Sequence, residues 1–303
     1  MMNLLLTGCF NYTENQIAQL SDLGYDIHYL KQEKDVLPLP AAEVNVTVCN
    51  GLFLYHNIDE FTDLNFIQLT SAGYDRVPVA KVKERGIKLF NARGVYSTPM
   101  AEWAVFRVLE HYKQGWFFKK EQQAGLWTKN RGLRELLGQK LAIVGAGNVG
   151  QEVAKRFKAF GVATTGFDIH TNPTPFFDDM LMIEKLKEHI PDYDIVVVTA
   201  PLLPTTEGLF CRQTLSKMKE NAVLVNISRG ALIDEEALCD VLADRRDIFA
   251  ALDVFVKEPL PSDSPLWNLK NVAISPHNSF VSDGNNQRMF NIIYKNLKDF
   301  ITD

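Results

Sequence analysis

The sequence predicts an α/β protein built from two doubly wound parallel-sheet domains. Three observations lead there. At 303 residues the chain is at the size where a single core stops growing and divides in two. Its 46% apolar and 23% charged residues supply material for buried cores and give no case for disorder. Short apolar runs alternate with amphipathic ones in two separate stretches, the pattern of parallel strands joined by covering helices.

In chain order, MMNLLLTG lacks a cationic leading segment and its apolar run is too short for a signal peptide, so it reads as a buried strand. ENQIAQLSDLG follows as an amphipathic helix, then VNVTVCNG, FIQLTSAG and GIKLFNAR as further strands. From Thr98 to about Gln123 apolar residues recur at the spacing of one long helix, with Pro99 near its start, where a missing N–H does no harm. The alternation resumes at Leu141 with LAIVGAG, VATTGFD, DIVVVTAP, AVLVNIS, FAALDVF and NVAISPH, a second parallel sheet. A last helix, Ser282 to Ile301, follows the final strand closely enough to return to the first domain.

Composition narrows the partners. A net charge of -5 without any Lys/Arg run argues against nucleic acid, which selects basic patches. No stretch approaches the roughly 20 apolar residues of a membrane span. Cys9, Cys49, Cys211 and Cys239 form no C-x-x-C pair, pointing to a reducing, cytoplasmic compartment. His28, His56, His111, His170 and His189 lack metal-ligand spacing, so no metal is expected, and no G-x-S-x-G elbow supports a serine nucleophile.

The stretch AIVGAGNVGQ carries the pattern G-x-G-x-x-G at Gly145, Gly147 and Gly150. Alone it is a weak signal. Here a strand precedes it, an amphipathic helix follows, and Asp168 closes the next strand 18 residues beyond Gly150. In that setting Gly145 permits the tight turn, Gly147 lets the backbone approach a pyrophosphate, and Gly150 lets helix and strand pack. Asp168 can accept hydrogen bonds from ribose hydroxyls and repel a 2′-phosphate. Ile169, His170 and Thr171 bring no cation to reverse that, so NAD is favoured over NADP.

Polar residues then stand at or just past the ends of three apolar strands: Arg229 in VLVNISRGALID, Asp253 with Glu258 in ALDVFVKEPLP, and His277 in NVAISPHNSF. In open parallel sheets ligands bind beyond the carboxyl ends of the strands, the edge on which the glycine loop also lies. One cleft can therefore collect a guanidinium suited to a carboxylate and an imidazole–carboxylate pair suited to proton transfer.

Taken together, G-x-G-x-x-G, Asp168, SRG, LDVF…EP and SPHNS resemble the NAD-dependent D-isomer-specific 2-hydroxyacid dehydrogenases, a family of glyoxylate/hydroxypyruvate reductases, D-lactate and phosphoglycerate dehydrogenases. The likeness covers nearly the whole chain, with TSAGYDRVPV similar to the family's substrate loop and STPMAEWAVFRVLEHYK to its interdomain helix. It implies a Rossmann cofactor domain, residues 99–280, inserted in a flavodoxin-like substrate domain formed by residues 1–98 and 281–303. It also implies Arg229 as substrate anchor, His277 as acid/base and Glu258 as its partner, with Ala72 and Gly73 offering backbone amides to the substrate carboxylate. The implied cofactor contacts are Gly145, Gly147, Asn148, Val149, Gly150, Asp168, Pro201, Thr206, Ile227, Ser228, Arg229, Asp253 and His277, with Asp253 near the nicotinamide. The family's His-x-Pro-Leu-Thr motif is only partly kept: Pro201 and Thr206 match, while Thr199 and Leu203 depart from it, and Arg76 stands where Asn is common.

The expected activity is hydride transfer between NAD(H) and a small 2-oxo or D-2-hydroxy acid, by a homodimer paired through residues 100 to 130. A second reading from another class stays open, an NAD-sensing binding protein like the corepressors that share the family's residues.

Overall fold

Both ends of the chain contribute to one unit and the middle forms another. The computed structural model describes residues 1–302. It divides the chain into two units, Met1–Tyr96 together with the segment from Ser282 onward, and Ser97–Val281.

The first unit holds strands β1 (Met2–Thr7), β2 (Tyr25–Leu30), β3 (Val46–Cys49), β4 (Phe66–Leu69) and β5 (Lys88–Phe90). They pair in the order β2-β1-β3-β4-β5, all parallel, which is the flavodoxin-like arrangement. Successive residues feed opposite faces, so Leu4 and Leu6 join one buried cluster while Leu5 joins the other. The C-terminal helix, Asn285–Thr302, lays Met289, Phe290, Ile293 and Leu297 on the first of these clusters. Tyr25 Oη donates to the carbonyl of Leu297 at 2.8 Å, tying that helix to β2.

The second unit holds β6 (Lys140–Val144), β7 (Ala163–Asp168), β8 (Asp179–Met182), β9 (Ile195–Val198), β10 (Val223–Asn226), β11 (Phe249–Leu252) and β12 (Val272–Ile274). Their order is β12-β11-β10-β9-β6-β7-β8, a doubly wound parallel sheet that reverses direction between β6 and β9. That reversal is where such sheets bind ligands. Nearly unbroken apolar strands such as IVVV are what a sheet covered on both faces requires.

Two edge strands, β2 and β8, are absent from the sequence reading. Most of their residues are exposed or half-buried, so YDIHYL and DMLM lack the long apolar run of a covered strand. The long helix expected from Thr98 to Gln123 is corrected to two, Ser97–Tyr112 and Gly115–Gln123. Gln114 between them takes φ 53°, a left-handed conformation that ends the first helix, with its N–H on the His111 carbonyl at 3.1 Å. None of the helices described is long and apolar enough to cross a membrane.

His111 lies flat on Phe249, ring centroids 4.1 Å apart, and burial with the nearby Arg134 charge pulls its pKa down to about 4. Between about 4 and the ordinary value of 6.5 the unfolded chain binds a proton that the folded chain does not, so this residue's contribution falls as pH drops through that window. His111→Phe is expected to flatten the loss of Tm between pH 6.5 and pH 4.5. A Tm profile as steep as that of the parent would refute this account.

Candidate active site

The glycine loop follows β6 at the point where the sheet reverses. Gly145 has φ +101°, and a Cβ there would stand 2.5 Å from the Ala200 nitrogen. At Gly150 a Cβ would meet the Gly145 carbonyl oxygen at 2.1 Å. Protein packing therefore accounts for both. Gly147 differs: a Cβ there would meet nothing within 4 Å. It is exposed, it caps the helix Asn148–Ala159, and the space before it is what a close-approaching phosphate needs. The cradle thus fits a pyrophosphate at the first turn of the helix, where Asn148 and Val149 lie.

Asp168 ends β7 with its carboxylate turned to the loop. Oδ2 accepts from Ala146 N at 2.6 Å and Oδ1 from Ile169 N at 2.7 Å. Each oxygen keeps a lone pair for a further donor, so the group is oriented without being saturated. Thr199 donates to the Gly145 carbonyl at 2.6 Å, which gives this departure from the family pattern a clear structural role. Thr206 is buried and stitches its own loop, accepting from Leu203 N at 2.8 Å and donating to the Pro201 carbonyl at 2.7 Å. Pro201 itself is exposed.

Beyond β10, Ile227 and Ser228 are buried, and Ser228 Oγ donates to the Ala200 carbonyl. Asn226 shapes the turn that follows. Its Oδ1 accepts from Ser228 N at 3.1 Å and its Nδ2 donates to the Arg229 carbonyl at 3.0 Å. Arg229 is exposed, with Nη1 on the Ser228 carbonyl at 2.8 Å. Next to it, a Cβ on Gly230 would fall 2.0 Å from the Phe255 carbonyl carbon, so the segments after β10 and β11 run in backbone contact. That contact brings the Arg229 turn against the stretch carrying Glu258.

Glu258 Oε1 accepts from Phe255 N at 3.0 Å, and its Oε2 meets His277 Nδ1 at 2.9 Å. The side chains of His277 and Glu258 are 39% and 38% exposed, so the pair is open to a ligand. His277 sits at φ +49°, an uncommon conformation for a residue with a Cβ. Asp253 explains how it is held. Its carbonyl accepts from His277 N at 2.7 Å. Its fully buried carboxylate accepts from Asn278 N and Ser279 N at 2.9 Å each and from Ser275 Oγ. The resemblance sets Asp253 near the nicotinamide; the hydrogen bonds its carboxylate makes here are with the His277 loop.

In the first unit, the loop after β4 carries Ala72 and Gly73. Asn91 Nδ2 donates to the Ala72 carbonyl at 2.6 Å and Ser71 Oγ to that of Gly73 at 3.0 Å. Sequence reasoning names Thr199 only as a departure from the family's motif and misses Asn226 and Ser275. Their one visible signal is a polar residue at or just past the end of an apolar strand.

Residues 105–279 match the family described as D-isomer specific 2-hydroxyacid dehydrogenase, NAD binding domain. The chain belongs to the D-isomer specific 2-hydroxyacid dehydrogenase family. It is accordingly an oxidoreductase that uses a nicotinamide dinucleotide and acts on 2-hydroxy acids. Among relatives of this dehydrogenase, hydroxypyruvate reductase of Blautia hydrogenotrophica is 30% identical over 79% of this chain and 76% of its own length. Human glyoxylate reductase/hydroxypyruvate reductase is 32% identical over 79% and 78%. In three dimensions the dehydrogenase is similar to a family protein from Aeromonas salmonicida, with a TM-score of 0.85, 27% identity and 99% and 96% of the two chains covered.

Proposed function

We propose that the enzyme reduces a small 2-oxo acid to the D-2-hydroxy acid with NADH, using His277 as acid/base, Glu258 as its partner and Arg229 as the substrate anchor. The observation that carries this reading is the 2.9 Å contact between His277 Nδ1 and Glu258 Oε2, because it fixes which ring nitrogen remains for substrate. With Nδ1 engaged, Nε2 gives its proton to the carbonyl oxygen in reduction and takes it back in oxidation. Glu258 orients the ring and balances the charge it carries as an acid. Arg229 grips a carboxylate through two parallel N–H bonds and stabilises negative charge growing on the neighbouring oxygen.

Bound NADH supplies the hydride. Amides of Asn148 and Val149 hold its pyrophosphate, and Asp168 takes the ribose hydroxyls. The test is NADH oxidation over glyoxylate, hydroxypyruvate, pyruvate and a branched 2-oxo acid, with chiral analysis of the product. Turnover of at least one to the D-isomer is expected, and none on any would overturn the reading.

Charge at Asp168 sets the preference for NADH over NADPH. Asp168→Asn keeps an oxygen acceptor but removes the repulsion of a 2′-phosphate, and is expected to narrow the ratio of the two Kd values by about tenfold, near 1.4 kcal/mol. Nucleotide fluorescence titration reads this directly, and an unchanged ratio would refute it. The enzyme is further proposed to pair with a second copy through its exposed aromatic stretch, where Trp116 is 60% and Trp127 96% exposed.

A further inference from the structure

The turn that carries Glu258 is closed by Glu258 itself. Phe255 N donates to its Oε1 at 3.0 Å, so the carboxylate that meets His277 through Oε2 is braced on its own loop. A group held in that way moves wherever the loop moves. The next amide reaches a fixed point outside the turn: Val256 N donates to Glu235 Oε2 at 3.1 Å.

Glu235 opens the helix Glu235–Asp244, which is capped by Asp234 Oδ1 accepting from Ala237 N at 3.0 Å and buries Ala237, Leu238, Val241 and Leu242. Its base is therefore rigid. The Gly230 backbone approaches the same amide, since a Cβ on that glycine would stand 2.3 Å from Val256 N. Val256 N is thus set between the turn that follows Arg229 and a carboxylate on a packed helix, two residues before Glu258. Resting on the reading above, we propose that Glu235 is a positioning residue for proton transfer. It anchors the Val256 amide, so that Glu258 presents Oε2 to His277 Nδ1 at a fixed place. Reach matters here more than charge, because an amide N–H requires only an oxygen at hydrogen-bond distance. A misplacement of about 1 Å at the reacting groups is worth about a hundredfold in rate, and one relayed through Glu258 is expected to cost about tenfold.

The test measures kcat and the NADH Kd with whichever of glyoxylate, hydroxypyruvate and pyruvate the parent reduces fastest. Glu235→Asp keeps the negative charge at the helix start but falls one methylene short of Val256 N. Glu235→Gln keeps the length and an oxygen but loses the charge. Glu235→Asp and Glu235→Ala are expected to lower kcat by about tenfold and leave the Kd within about threefold, while Glu235→Gln keeps kcat within about threefold of the parent. A residue that only served the helix dipole gives the opposite order, with Glu235→Asp like the parent and Glu235→Gln impaired. That order overturns the proposal, as do parent rates in all three variants. In a Glu258→Ala background Glu235→Asp should cost less than about threefold, because the group it places is gone, and a further tenfold loss also overturns it. A parent that reduces none of the acids, or a Glu258→Ala variant at the parent rate, overturns the reading of the pair and this inference with it. An impaired Glu258→Ala beside an unimpaired Glu235→Asp sinks this inference alone.

Discussion

His277→Ala is expected to lower kcat for 2-oxo acid reduction by about 10²–10⁴, the usual worth of a positioned general acid, while NADH binding changes by less than threefold. The reason is positional. The only catalytic nitrogen left free by the 2.9 Å contact to Glu258 is Nε2, and alanine removes it without disturbing the glycine loop after β6. Glu258→Gln should fall between, losing about 10–100-fold, because an amide can still orient the ring but cannot balance its charge. Steady-state kinetics with parallel fluorescence titration of NADH separates chemistry from binding. A parent-like kcat in His277→Ala would remove this residue from the proton path.

The second large effect is expected at Asp253, a residue with no exposed surface. Asp253→Ala strips acceptors from Asn278 N, Ser279 N and Ser275 Oγ, all three in a buried or half-buried turn. Each donor left unpaired costs about 1–3 kcal/mol, so the total reaches about 3 kcal/mol or more. In a unit of this size that lowers Tm by about 6–12 °C. Loss of the clamp also releases the positive-φ conformation of His277, and a misplacement of about 1 Å is worth roughly a hundredfold in rate. The expected signature is thus a joint fall in Tm and kcat, with Asp253→Asn intermediate because it keeps one oxygen. If kcat fell while Tm stayed at the parent value, Asp253 would be acting on the ligand rather than on the loop.

The sequence made some of this legible and hid the rest for identifiable reasons. Gly145, Gly147 and Gly150 with Asp168 can be read directly, since a strand, a turn and a helix leave their marks within about 30 neighbouring residues. The central strands are equally plain, because a sheet covered on both faces needs runs such as IVVV and VLVN. The edge strands β2 and β8 and the break at Gln114 escape notice. Half-exposed strands carry mixed residues, and a left-handed glutamine has no compositional mark.

By itself the sequence determined the two parallel sheets, the place of the cofactor loop and the residue types available for chemistry. Those depend on local periodicity and backbone freedom, which neighbouring residues encode. Only the tertiary structure decided that Asp253 points into the His277 loop, that Thr199 reaches back to Gly145, and that Glu235 reaches the Val256 amide. The partner of a buried polar group is chosen by chain segments that meet only after folding, and no spacing along the chain records which of them it will find.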